Sequence, residues 1–191
     1  MLKSYYNADV LEAGLDEVGR GCLAGPVVAA AVILPKNYTH PILNDSKQLS
    51  HRQREILKKD IERDAIAWAV AEVSHEDIDR INILKASFLA MHRAVDALAV
   101  KPEHLLVDGN RFVPYPMTPH TCIIKGDAHY LSIAAASVLA KTYRDDLMAQ
   151  LGLEFPAYGW AQNVGYPTPI HRAAIRQFGP TKYHRMSFRL L

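Results

Sequence analysis

The chain has 191 residues, 49% of them apolar and 22% charged, and a net charge of +2. That length supports one domain with a substantial core, and no apolar run approaches the ~18 residues that a membrane span needs. The opening MLKSYYNADV has no apolar stretch behind its lysine and reads as no secretory signal, so a cytoplasmic protein is expected, with Cys22 and Cys122 as buried thiols rather than a disulfide.

In chain order, VLEAGLDEV reads as a strand, and PVVAAAVILP, Pro26 to Pro35, as a buried one bounded by prolines. They lie close enough for an antiparallel pair, with GRGCLAG as an extended turn. LSHRQREILKKDIERD predicts an amphipathic surface helix with Ser50 as its cap and Ile56, Leu57 and Ile61 on its apolar side. AIAWAVAEVS is a third strand. Ile81 to Val100 predicts a helix with one buried stripe, Leu84, Phe88, Met91, Val95 and Leu98. HLLVDG is a strand stopping at Asp108-Gly109, and TCIIKGD another ending at Gly126-Asp127. YLSIAAASVLAKTYRDDLMAQL is a helix whose alanines suit close packing on a sheet. The remainder is loop-rich apart from a helix near Pro169 to Phe178. There is no internal repeat. The order implies an α/β fold with a mixed sheet and flanking helices.

Charge is unevenly spread. All 20 acids and 17 of the 22 Lys and Arg precede Phe155; beyond it come five basic residues, no acid, and His171 and His184. We expect residues 1–154 to form the body and 155–191 a basic extension packed on it. An acid-free basic end suits a polyanion, although a solvated tail gives the same pattern.

Asp16, Glu17, Asp108 and Asp127 each stand at or near the end of an apolar strand. Neighbouring strands would gather them at one edge of the sheet, where α/β proteins build sites. Clustered carboxylates repel unless a cation neutralises them. Oxygen donors without Cys or His at ligand spacing select Mg²⁺ or Mn²⁺ over zinc, and two such ions ~4 Å apart serve phosphodiester hydrolysis. Two of them also have a plainer reading: Asp-Gly after a strand, as at Asp108, is commonly a turn, and Glu17 alone could be a rim charge. The adjacent pair Asp16–Glu17 resists that, since neighbouring strand residues point to opposite faces.

The motifs GLDEVGRGCLAGPVVAAAVIL, NDSKQLS, LVDGN, KGDAHYLSIAAASVLAKTYRD and FPAYGWAQNVGYPTPIH, followed by HRMSF, together resemble the type 2 ribonucleases H, the ribonuclease HII family, over nearly the whole chain. The resemblance implies a ribonuclease H-like fold, a five-stranded mixed sheet with a C-terminal helical extension. It implies an endonuclease that cuts the RNA strand of RNA–DNA hybrids and incises 5′ of ribonucleotides embedded in duplex DNA, using two Mg²⁺ or Mn²⁺ ions and leaving 3′-hydroxyl and 5′-phosphate ends. It puts the catalytic, metal-binding carboxylates on Asp16, Glu17, Asp108 and Asp127; Asp127 is preferred to Asp145 and Asp146 because it ends a strand, whereas they sit mid-helix beside Arg144, where a local ion pair accounts for one of them.

The same resemblance makes Gly19, Arg20 and Gly21 the reader of the ribonucleotide. Glycine lets backbone approach a sugar, the 2′-hydroxyl separates RNA from DNA, and Arg20 suits a phosphate. Tyr166 would pack on the following deoxyribose. Lys47, Lys141, Arg144 and His171 are candidate backbone contacts; Ser137, Lys141 and Arg144 share one helix face. His184 and Arg185 would instead pin the extension to the body. One departure is Val164, where many relatives carry a basic residue before the Gly-Tyr pair. The expected partner is nucleic acid, with no membrane, no clamp-binding tail and a monomeric chain. Rival readings are a ribonuclease HIII-like hybrid nuclease without single-ribonucleotide incision, a non-catalytic nucleic-acid-binding module, and a Mg²⁺-dependent phosphomonoesterase.

Overall fold

A computed structural model describes residues 2–43 and 49–191. Its strands are β1 (Glu12–Val18), β2 (Val27–Ile33), β3 (Ala67–Val73), β4 (His104–Asp108) and β5 (His120–Ile123). They form one sheet in the order β3-β2-β1-β4-β5. β1 is antiparallel to β2 and β2 to β3, while β4 is parallel to β1 and β5 to β4. The change of direction follows from the connections: a short loop returns the chain directly from β1 to β2, whereas β4 is reached only after helices that carry it back to the starting end. This is the mixed α/β layout expected from the sequence.

Helix α1 (His51–Asp64) starts at Ser50 with a complete capping box: Gln53 N–H donates to Ser50 Oγ (3.3 Å), and Ser50 N–H to Gln53 Oε1 (2.9 Å). It buries Leu57 and Ile61 but leaves Ile56 exposed. The helix expected from Ile81 to Val100 is α3 (Ile83–Asp96), and a short helix the sequence pattern did not predict, α2 (His75–Ile81), precedes it. Asn82 separates them at φ 72°, and its side chain accepts from Lys85 N–H (3.1 Å) to cap α3. The stripe is also different: Met91 and Val95 are buried together with Ala86, Ala90 and Ala94, while Leu84 and Phe88 turn toward the edge of the sheet. β5 stops at Ile123, short of Asp127, because Lys125 adopts a left-handed conformation that turns the chain into a 3₁₀ turn, Gly126–Ala128.

Helix α4 (Leu131–Glu154) is buried on nearly every side over its first ten residues. Its alanines let it sit directly on β1 and β2. At Gly14 a β-carbon would lie 2.2 Å from the Ser132 carbonyl carbon, so only glycine permits this approach. The sheet thus separates two cores. Ala13, Leu15, Ala29, Ala31 and Val107 meet α3 on one face; Val28, Ala30 and Val32 meet α1 and α4 on the other. A third cluster joins Leu23 and Ala24 to Met148 and to Tyr158, Trp160, Ala174 and Ile175 of the C-terminal segment, which holds α5 (Trp160–Asn163) and α6 (Pro169–Phe178). The loop after β1 is therefore built partly from the end of the chain. Both cysteines are free thiols, Cys22 buried and Cys122 half-buried. Among the described residues no helix is long and apolar enough to cross a membrane.

Candidate active site

The alternation of β1 settles the puzzle of its adjacent acids. Ala13 and Leu15 face α3, so Glu17 follows them to that side, while Gly14, Asp16 and Val18 face α4. Asp108 ends β4, the strand beside β1. It borders two depressions. One, of about 270 Å³, is lined by Asp16, Glu17, Asp108, Ser137, Lys141 and Tyr166. The other, of about 380 Å³, lies on the α3 side, with Glu17, Arg20, Asp108, Asn110 and Arg111 above Leu84, Phe88 and Met91. Three of the four expected carboxylates therefore meet at one edge of the sheet.

Their electrostatics is unfavourable as they stand. Burial drives the Asp16 carboxyl well above its ordinary value, and the charges of Glu17 and Asp108 add to it; the Ser137 hydroxyl and the Glu17 N–H work against the shift. Glu17 is also raised, chiefly by burial, with Arg20 opposing and Asp108 reinforcing. Each carboxylate is held by a protein donor. Asp16 Oδ1 accepts from Glu17 N–H (2.7 Å), Glu17 Oε1 from Arg20 Nη1 (3.2 Å), and Asp108 Oδ1 from Gly126 N–H (2.7 Å).

Whether these residues suit a divalent ion can be judged from the same facts. The donors are all carboxylate oxygens and they repel one another, which favours a hard dication. As the side chains stand, no group of three or more His, Cys, Asp or Glu among the described residues is close enough to hold one. Glu17 is engaged with Arg20, whose own side chain is 51% exposed, so the carboxylate is held at the mouth of the site by a cation that water can also solvate. The donor set fits.

Asp127 lies next to this group. It is buried in the 3₁₀ turn rather than ending a strand, one residue after the Gly126 amide that holds Asp108, and lines neither depression. Gly19 has φ 94°, and a β-carbon there would meet Arg144 Nε at 2.2 Å. Gly21 is exposed beside Tyr166, its would-be β-carbon 3.7 Å from Tyr166 Cε1. Tyr166 is 39% exposed, and its hydroxyl meets the Cys22 thiol. Lys141 shares the Asp16 depression and is paired with Asp145 (2.6 Å). Lys47 lies outside the described residues.

Two expectations need correction. Arg144 is fully buried: its guanidinium donates to the carbonyls of Pro26 (2.9 Å), Val164 (2.7 Å) and Ala24 (3.0 Å), which leaves no donor face for a phosphate. His171 is also fully buried, between Trp160, His184 and the Tyr166 carbonyl. Both supply structure from inside. Nor does Arg144 pair with the neighbouring acids: Asp145 binds Lys141 and Arg54, and Asp146 binds Lys58, tying α4 to α1. Asn110 and Arg111 were missed by sequence reasoning, although they directly follow Asp108-Gly109. Arg185 pins the C-terminal segment to the body, as expected, through the carbonyls of Gly19, Arg20 and Gly25.

The ribonuclease HII family model matches residues 13–191. The chain is 65% identical over 191 residues to ribonuclease HII of Bacteroides thetaiotaomicron, covering 100% of this chain and 96% of that one. Among solved structures it resembles ribonuclease H2 from Pyrococcus horikoshii OT3, with a TM-score of 0.79 and 25% identity over 94% of both chains. RNase HII of Archaeoglobus fulgidus, solved in a complex with PCNA, matches with a TM-score of 0.77 and 27% identity, over 94% of this chain and 95% of that one.

Proposed function

The chain belongs to the ribonuclease HII family, and from this premise we propose a reaction finer than hydrolysis of the RNA strand in RNA–DNA hybrids. The protein incises duplex DNA on the 5′ side of a single embedded ribonucleotide and leaves 3′-hydroxyl and 5′-phosphate ends. Family membership carries divalent-metal dependence. The use of two ions, Mg²⁺ or Mn²⁺, belongs to the proposal. When bound, such a pair supplies Lewis-acid activation of water and neutralises the leaving oxygen.

In this reading Asp16, Glu17, Asp108 and Asp127 hold the ions. Asp16 is the shared ligand in this reading: its carboxyl is the more buried of the β1 pair, and the charges of Glu17 and Asp108 both act on it. Its raised proton affinity means that cation binding must displace a proton or relieve a repulsion, so loading strengthens with pH. Arg20, released from Glu17, is then free for the phosphate beside the cut. Lys141 adds positive charge across the depression from Asp108. Gly19, Arg20 and Gly21 meet the sugar of the ribonucleotide, and Tyr166 packs on the next one. Lys47 remains a candidate backbone contact.

The observation that supports this reading most is the neighbourhood of Gly21 and Tyr166: a β-carbon on Gly21 would lie 3.7 Å from the Tyr166 ring, both residues are exposed, and Tyr166 lines the depression that holds the carboxylates. The test is a DNA duplex with one ribonucleotide, incubated with Mg²⁺ or Mn²⁺ and mapped at nucleotide resolution. One cut on the 5′ side of the ribonucleotide is expected. Cleavage of a hybrid with that duplex left intact would reject the reading and favour the hybrid-only alternative.

A further inference from the structure

Two guanidiniums lie fully buried beneath the loop that joins β1 to β2, and neither takes part in an ion pair among the described residues. Arg185 donates from Nε to the Gly25 carbonyl (2.9 Å), from Nη1 to Arg20 (3.0 Å) and from Nη2 to Gly19 (2.7 Å). Arg144 holds the carbonyls of Ala24 and Pro26 from the same loop and, with Nη1, that of Val164, two residues before Tyr166. Leu23 N–H donates to Gly165 (2.7 Å), completing the tie between the two segments. Val164 sits at φ 43°, a strained conformation for a β-branched residue. Such strain persists only where surrounding bonds over-determine it, and the Arg144 bond to its carbonyl is one of them.

The direction of these carbonyls has a chemical consequence. In a planar trans peptide the N–H points opposite to the C=O. Drawing the Gly19 and Arg20 carbonyls inward onto Arg185 turns the N–H groups of Arg20 and Gly21 outward, toward the side where Tyr166 is exposed. Two outward amides beside a glycine surface can donate to a sugar oxygen or a phosphate. The buried charges act in the same sense. Arg144 and Arg185 repel each other, and an anion arriving above the loop relieves that repulsion.

We propose that Arg185 is a specificity-determining positioning residue: its grip on Gly19 and Arg20 aims the two amides at the 2′-oxygen of the ribonucleotide, while Arg144 keeps that loop in register with Tyr166. This rests on the reading above, in which the loop and Tyr166 select the site of incision.

The test uses the full chain carrying Asp16→Asn, in chelator, so that binding is read without cutting. Affinity for a DNA duplex with one ribonucleotide is compared with that for the all-DNA duplex of the same sequence. Arg185→Lys keeps the charge but gathers its donors on one nitrogen, which cannot span three carbonyls. The expected result is a preference for the ribonucleotide duplex that Arg185→Lys reduces by roughly tenfold, the worth of one or two misdirected hydrogen bonds, with affinity for the all-DNA duplex little changed. A preference that survives the substitution overturns the proposal. If Arg185→Lys does not fold, amide hydrogen exchange on the parent chain decides: the Arg20 and Gly21 amides gain protection from the ribonucleotide duplex and not from the all-DNA one, and equal protection by both overturns it. Absence of any preference in the parent chain removes the underlying reading and the inference together. Loss of preference in Tyr166→Ala but not in Arg185→Lys removes the inference alone.

Discussion

Mild acid destabilises this fold through His184. The ring is buried with His171 and has a definite proton arrangement. Thr181 N–H donates to its Nδ1 (2.8 Å), so Nε2 carries the hydrogen and donates to His171 Nε2 (3.1 Å). Trp160 Nε1–H points at the same His171 nitrogen (3.1 Å), so the two donors share its single lone pair, and His171 Nδ1–H donates to the Tyr166 carbonyl (2.9 Å). Both rings are neutral in this network. Adding a proton to His184 sets a donor against the Thr181 amide and creates a buried charge. Burial, then the neighbouring His171, lowers its pKa from 6.5 to about 4. Between those values the native state binds fewer protons than the unfolded chain. The contribution is therefore complete above the unfolded pKa and is lost as pH falls toward the folded one, reaching about 3 kcal/mol. Asp16 acts in the opposite sense, since its raised pKa makes the native state the better proton acceptor. Comparing the parent with His184→Gln at each pH cancels that contribution. Urea unfolding between about pH 7 and pH 4.5, followed by fluorescence of Trp160, whose ring centre is 5.6 Å from that of His184, reads the difference. The parent should lose stability more steeply, by up to about 1.4 kcal/mol per pH unit. Parallel slopes in parent and variant would refute a neutral His184.

The Asp16→Asn change separates function from stability. Cleavage falls by roughly 10²–10³-fold or more, while the urea midpoint in chelator rises by the equivalent of about 1 kcal/mol, because a buried charge repelled by Glu17 and Asp108 is gone; an unchanged or lower midpoint would contradict the electrostatic account. Gly14→Ala drives a β-carbon into the α4 backbone at Ser132 and Ile133 and should cost at least about 3 kcal/mol, seen as loss of folded protein by circular dichroism.

Strands and caps were legible because their signals are local. β2 is apolar on both faces and β3 alternates, and the Ser50 cap lies three residues from its partner Gln53. The short helix α2 was missed because its seven residues HEDIDRI are too few to show a helical stripe, and only the positive φ of Asn82 separates it from α3. The same limit applies at Asp127. TCIIKGD reads as a strand to its end from its apolar run, and a left-handed Lys125 stops it four residues early. Asn110 and Arg111 were missed because a cavity wall is defined by what lies opposite, here Leu84 and Phe88 from a helix well before them in the chain.

The sequence by itself determined which chemistry the chain carries: acids placed at strand ends, a glycine–arginine–glycine turn after the first of them, and an acid-free basic end. Tertiary structure alone decided which cations face the substrate. Arg20 and Arg144 look alike on paper, yet one is exposed and the other is wrapped by carbonyls up to 120 residues away. Whether a guanidinium is solvated by water or by folded-back backbone depends on long-range packing, and no local pattern encodes that.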